Sequence, residues 1–175
     1  MQTDAGHRAV RLEQCATSTR GIHVIDLRAL TTDDWATWRD VRLRALADAP
    51  HAFGATLEEW EHASEDRWRA RLALPGSHNL VAHVDGEPVG MATGAPFDGT
   101  YELISMWVAP EVRGRGVGDA LVEEILRWAR EQGARELRLD VKEHNLRAIA
   151  LYVRHGFIDV GPSRELGERT MMKRM

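Results

Sequence analysis

At 175 residues, 43% of them hydrophobic, the chain is most simply one globular domain with a real core. A net charge of −4 and a pI near 6.1 argue against a nucleic-acid partner held by phosphate neutralisation. The single cysteine, Cys15, excludes an intrachain disulfide and points to a reducing, cytoplasmic setting. No apolar run nears the roughly 20 residues of a membrane helix, and charges from Asp4 to Glu13 leave no signal-peptide core.

Residues 1 to about 20 carry no helical or strand period and read as a flexible lead-in, with a short docked segment as the alternative. Residues 21–175 then form the single domain. Ile22, Val24, Ile25, Leu27 and Leu30 make a first strand. Thr31-Thr32-Asp33-Asp34 offers hydroxyl caps followed by acids, the opening of a helix through Trp35, Trp38, Val41, Leu43, Ala45 and Leu46 that ends before Pro50. Thr56-Leu57-Glu58-Glu59 has capping-box spacing, and Trp60, Trp68, Leu72 and Leu74 indicate one or two short helices. Asn79 to Val84 and Pro88 to Thr93 form a hairpin through Asp85-Gly86. Tyr101 to Val108 is the next strand.

A glycine-rich turn follows, Val108-Ala109-Pro110-Glu111-Val112-Arg113-Gly114-Arg115-Gly116-Val117-Gly118. Val117, Leu121, Ile125 and Trp128 then mark a long amphipathic helix stopped at Gly133, with Glu123 and Arg127 in favourable i,i+4 order on its polar face. Leu137, Leu139 and Val141 alternate as a strand, Asn145 to Arg154 is a helix, and Phe157 to Val160 and Thr170 to Met175 are the last strands. The order is mixed α/β with one embedded βαβ unit around the long helix.

Where a strand gives way to a helix through glycines, backbone N–H groups and the helix N-terminus can seat a pyrophosphate, and Arg113 and Arg115 add charge. A P-loop would need Gly-Lys-Ser/Thr, and here Gly118 is followed by Asp119. A dinucleotide fingerprint finds its acid at Asp140 but lacks the third glycine in register. A loop whose glycines serve only turn geometry leaves the paired arginines unexplained.

Val108-x-Pro110-x-x-Arg113-Gly114-x-Gly116-Val117-Gly118 resembles the acetyl-CoA pyrophosphate loop of the GCN5-related N-acetyltransferases, the GNAT superfamily. Asn145-x-x-Ala148-x-x-Leu151-Tyr152-x-x-x-Gly156-Phe157 resembles that family's second signature segment, and the element order from Ile22 onward matches its plan. The resemblance implies a mixed, mostly antiparallel sheet of six or seven strands flanked by helices on both faces. It implies acetyl-CoA as acyl donor, with backbone amides of Arg113, Gly114, Arg115, Gly116, Val117, Gly118 and Asp119 on the pyrophosphate. It further implies that Met106, Trp107 and Val108 pair with the pantetheine arm as an added strand, that Asn145, with Ala148 in the same segment, adjoins that arm, and that Tyr152 points to the thioester sulfur.

Acetyl transfer to an amine requires a base for the ammonium, a donor for the oxyanion and a proton for the leaving thiolate. Glu102 is the base in this reading: it lies six residues before Val108, and regular alternation puts 102, 104, 106 and 108 on one face. The family's histone-acetylating branch has a glutamate at the matching distance; the bland alternative is a solvated acid at a strand start. Tyr152 suits thiolate protonation, against the alternative of a core tyrosine. A backbone N–H near Met106 or Trp107 serves the oxyanion by resemblance alone. The acceptor lies between the first helices and the strand end at Met106, where Trp35, Trp38, Phe53, Glu58 and Trp60 are candidates; Glu58-Glu59-x-Glu61 would draw in a cationic amine.

The eight histidines show no His-Glu-x-x-His arrangement and no zinc spacing, so no metal is expected. Ser105 lacks the glycines of a nucleophile elbow. The sequence therefore reads as an acetyl-CoA-dependent N-acetyltransferase acting on a primary amine, small-molecule amines favoured, without nucleic acid or membrane partners. Protein N-terminal or lysine acetylation is the enzyme alternative, and a non-catalytic acyl-CoA-binding regulatory module the alternative of another class. By analogy, Trp107 and the Thr170 to Met175 strand are placed in a homodimer contact.

Overall fold

A computed structural model describes residues 7–10 and 24–175; the readings of Cys15 and Ile22 fall outside them. The strands are β1 (His7–Val10), β2 (Ile25–Ala29), β3 (His78–Val84), β4 (Glu87–Phe97), β5 (Thr100–Val108), β6 (Glu136–Lys142), β7 (Ile158–Pro162) and β8 (Glu168–Arg174). They form one sheet in the order β1-β2-β3-β4-β5-β6-β8-β7, antiparallel except where β5 meets β6. The seven strands from Ile25 onward match the expected plan. The eighth, β1, lies within the stretch read as a lead-in and pairs antiparallel with β2.

The helices are α1 (Trp35–Asp48), α2 (Leu57–Glu61), α3 (Glu65–Leu72), α4 (Val117–Glu131) and α5 (Leu146–Arg154). Local chemistry sets their starts. Thr31 forms a capping box with Asp34 ahead of α1, and Thr56 forms one with Glu59 at α2. The β3–β4 turn puts Asp85 and Gly86 at positive φ, and a second hairpin at Asp98-Gly99 does the same, lengthening β4 beyond the predicted Thr93.

Helices cover both faces. On one, Val117, Leu121, Ile125 and Trp128 of α4 are buried against the sheet. Sheet glycines make room for them: a Cβ at Gly94 would sit 2.4 Å from the Trp128 ring, and one at Gly90 would crowd Leu121 and Val117. On the other face lie Trp38, Val41, Ala45 and Leu46 of α1 with Trp68 and Leu72 of α3.

One surface expectation is corrected. Arg127 pairs with Glu124 and Glu131 rather than Glu123, because Glu124 lies on the sheet side and needs a partner where it is buried. Trp107 is buried with its indole N–H donated to Asp48 at 2.9 Å, and β8 is paired on both edges, by β6 and β7.

Candidate active site

The site is built where the sheet comes apart. β5 and β6 pair only at Tyr101–Leu137 and Glu102–Arg138. From Leu103 to Val108, β5 is paired on its β4 side alone. An unpaired strand edge opening towards a glycine turn is a template for an extended chain bearing amides. Met106, Trp107 and Val108 lie on that edge, though the Val108 carbonyl already accepts from Arg113 Nε at 2.9 Å.

A β-bulge interrupts β5 within this stretch. Thr93 pairs with Ile104 and Met91 with Trp107, so three residues of β5 advance against two of β4. Ser105 takes up the extra step at φ +56°, unusual for a residue with a Cβ. Cross-strand partners share a face. Glu102, opposite Ala95, Ile104 and Trp107 therefore face α1 and α3, whereas Leu103 and Val108, opposite Gly94 and Gly90, face α4. The expected alternation of 102, 104, 106 and 108 on one face fails because the bulge reverses the parity. Met106 reaches the α4 side, its Cε 3.7 Å from the position a Cβ would take at Gly118.

After β5 a 3₁₀ turn, Pro110–Val112, leads into the glycines. Gly114 and Gly116 stand at φ +76° and +83°, conformations that cost a side-chain-bearing residue free energy. The amides of Arg113 and Arg115 are used within the turn, on Pro110 and Val112 carbonyls. Those of Val117, Gly118 and Asp119 are the first-turn donors of α4, aligned with the positive end of its dipole. Gly118 has a packing reason as well, since a Cβ there would press on Leu151 of α5 at 3.2 Å. Arg115 is exposed at the turn. Arg113 is not: its guanidinium is tied to Asp48 at the end of α1 and to the Val108 carbonyl, which fixes the turn against α1.

Asp119 accepts from Arg154 at 2.8 Å and contacts His155 Nε2 at 2.9 Å, joining the start of α4 to the end of α5. Burial raises its carboxyl, but those hydrogen bonds outweigh burial and hold it below the usual range. Asn145 caps α5, its side-chain oxygen accepting from Ala148 N–H at 3.2 Å, which leaves its NH₂ as the available donor. Tyr152 is buried edge-on to Phe157, and burial pushes its phenol further up, so it is protonated at neutral pH.

On the α1–α3 face, Glu102 is partly buried beside Asp140. Burial first, and then the Asp140 charge, raise its carboxyl above the usual range against the opposing pull of Arg138 and Arg164. Trp35 lies under Arg39, Trp60 stacks with Trp68 and Arg67, and Trp38 is fully buried. Glu58 is exposed, and Glu59 is spent on its cap, where the Thr56 N–H holds its carboxyl low. Phe53 lies under Arg42, 4.4 Å from ring centroid to guanidinium carbon. Arg42 and Arg71, which sequence reasoning passed over, are two further cations on this face. A hint was available: Arg42 follows Trp38 by four residues and Val41 by one, on an otherwise apolar helix stripe. Among the described residues no cluster of three His, Cys, Asp or Glu is placed to hold a metal, and no helix is long and apolar enough to cross a membrane.

Residues 29–157 match the family model described as the acetyltransferase (GNAT) family, and the chain belongs to that family. It is 30% identical over 133 residues to a mycothiol acetyltransferase of Beutenbergia cavernae, a match covering 74% of this chain and 43% of that one. It is 33% identical over 135 residues to the N-alpha-acetyltransferase RimI of Mycobacterium tuberculosis, covering 71% and 82%. The chain thus spans less than half the length of the first relative and most of the second. Among solved structures, the GNAT domain of S. lividans PAT superposes with a TM-score of 0.74 at 21% identity, covering 97% of both chains. A PaiA N-acetyltransferase from Thermoplasma acidophilum, solved in complex with coenzyme A, gives 0.70 at 21% identity over 86% of this chain and 99% of that one.

Proposed function

We propose that the protein transfers an acetyl group from acetyl-CoA to the primary amine of a small molecule by direct attack. One observation carries this reading: the unpaired edge of β5 runs from the Glu102–Arg138 pair straight into the open amides at the start of α4. That places a strand-like binding edge and an anion seat end to end, the shape a pantetheine arm and its pyrophosphate require. Val117, Gly118, Asp119 and Arg115 hold the pyrophosphate, with Arg113 acting by fixing the turn. Met106 and Trp107 offer the edge, and the amide NH₂ of Asn145 the added donor. The bound acetyl-CoA supplies a thioester carbonyl open to attack.

The chain's own groups do the rest. Glu102 takes the proton of the incoming ammonium, directly or through water; its raised carboxyl is better matched to that task than an ordinary glutamate. A β5 backbone N–H at Met106 or Trp107 stabilises the charge that builds on the carbonyl oxygen. Tyr152, held protonated by burial, gives its proton to the departing sulfur.

The relative named RimI supports keeping a peptide amine as the second acceptor class. Free-thiol release with acetyl-CoA and a panel of small amines and N-terminal peptides tests the reading. Turnover with small amines supports it, turnover with peptides alone transfers it to protein acetylation, and acetyl-CoA binding without any turnover leaves a regulatory module.

A further inference from the structure

The α1–α3 face of the sheet holds positive charge that acetyl transfer itself does not use. Arg71 of α3 is gripped by neutral oxygens: Asn79 Oδ1, Thr93 Oγ1 and Ser105 Oγ, each at 3.2 Å. Its guanidinium also lies 5.2 Å from the centroid of the buried Trp38 ring. Arg42 of α1 lies on Phe53, and its Nη1 is enclosed without a hydrogen-bond partner. Neither arginine has an ion pair to a carboxylate among the described residues. Burial and then the Arg71 charge bring Arg42 down to about 10.

A cation taken partly out of water without a counter-charge is held at a cost, and a second like charge adds to it. An anion that reaches them removes that cost, and guanidiniums in this setting favour a planar carboxylate. Position ties the pair to the reaction. Ser105, which Arg71 grips, is the bulge residue immediately before Met106, where β5 has parted from β6, and it lies on the Glu102 side of the sheet.

We propose that the acceptor is an amine with a carboxylate close to it, a free amino acid or a small amino-acid conjugate, and that Arg42 and Arg71 bind that carboxylate. This rests on the acetyl-transfer reading above. Arg71 is the fixed member, set by three hydrogen bonds, and Arg42 supplies the unspent donors. Phe53 provides apolar wall beside Arg42. Glu58, exposed on α2, is then not what selects the acceptor.

The test compares thiol release from acetyl-CoA with the standard L-amino acids and with their primary amides. The acids are expected to exceed the matching amides about tenfold or more in kcat/KM. Arg42→Gln should bring that ratio close to one, with the KM for acetyl-CoA unchanged, and Arg42→Lys should keep part of it. Tryptophan fluorescence quenching by N-acetyl-L-amino acids gives a readout independent of turnover: the acids quench the wild type and not Arg42→Gln, and their amides quench neither. Amides used as well as acids, or a ratio unmoved in Arg42→Gln, overturns the proposal while acetyl transfer stands. Carboxylate-dependent quenching without turnover of any amine keeps the anion site and removes the transferase reading. The absence of both turnover and quenching with the acids overturns the proposal.

Discussion

The proposed transfer asks Glu102 and Tyr152 to hold their protons in opposite ways at one pH. Glu102 must be ionised to act, and burial beside Asp140 makes ionisation harder than in water. The kcat/KM of the enzyme should therefore rise with pH through a value above the ordinary glutamate range and level off beyond it. Glu102→Gln should erase that limb and lower kcat by about 10²–10⁴-fold, read from pH–rate profiles. The same substitution should not cost stability. A carboxyl raised in the fold is ionised less favourably there than in the unfolded chain, so its penalty is present above the raised value and absent well below it. The Tm of Glu102→Gln at neutral pH should match or exceed that of the wild type. Tyr152→Phe is expected to lower kcat far more than it weakens acetyl-CoA binding; an unchanged kcat would remove Tyr152 from the chemistry. Its position in the signature segment was legible from sequence, whereas the tie of Arg113 to Asp48 was not, because Asp48 ends a helix far upstream.

At the scale of elements, periodicity carried α4 almost whole: the predicted Val117, Leu121, Ile125 and Trp128 stripe is the buried one. Capping boxes at Thr31 and Thr56 and the Asp85-Gly86 turn were equally local and equally readable. The bulge in β5 was not. Ser105 has no glycine's freedom, and its left-handed backbone is held by the register with β4 and by Arg71, neither of which a single strand displays. Hence the face of Glu102 could be assigned, and that of Met106 only with the fold in hand. The glycines of β4 carried a message that no motif encodes, since they are set by a helix that follows later in the chain. Gly94→Ala would drive a methyl into the Trp128 ring at 2.4 Å. A loss of about 1–3 kcal/mol is expected from overpacking, measured as a lowered denaturant midpoint, with Gly54→Ala, which meets no atoms within 4 Å, as the contrast for packing.

The whole molecule is a sheet nearly divided in two, β1 to β5 on one side and β6, β8 and β7 on the other, joined by two residue pairs of parallel strand. Leaving that seam open is what creates the unpaired β5 edge, so helices must bridge what the strands do not. Asp119 with Arg154 and His155 clamps α4 to α5 near the seam. Glu124 fastens the other side: it pairs with Arg127 on its own helix and lies 3.6 Å from His78 on β3, whose ring stacks on Trp128. Burial alone would raise the Glu124 carboxyl, but the hydrogen bonds from Arg127, with His78 close by, win and bring it down to about 2. A carboxyl depressed in the fold contributes stability above its unfolded value and loses it as pH falls towards the folded one. Arg127 is well exposed, so water screens part of the pairing and a contribution of about 2 kcal/mol at neutral pH is the reasonable scale. Urea unfolding of the wild type and Glu124→Gln should differ by about that amount at pH 7. The gap should close as the pH is lowered from about 4.5 to about 2, while a gap indifferent to pH would show that shape, not charge, is what Glu124 supplies.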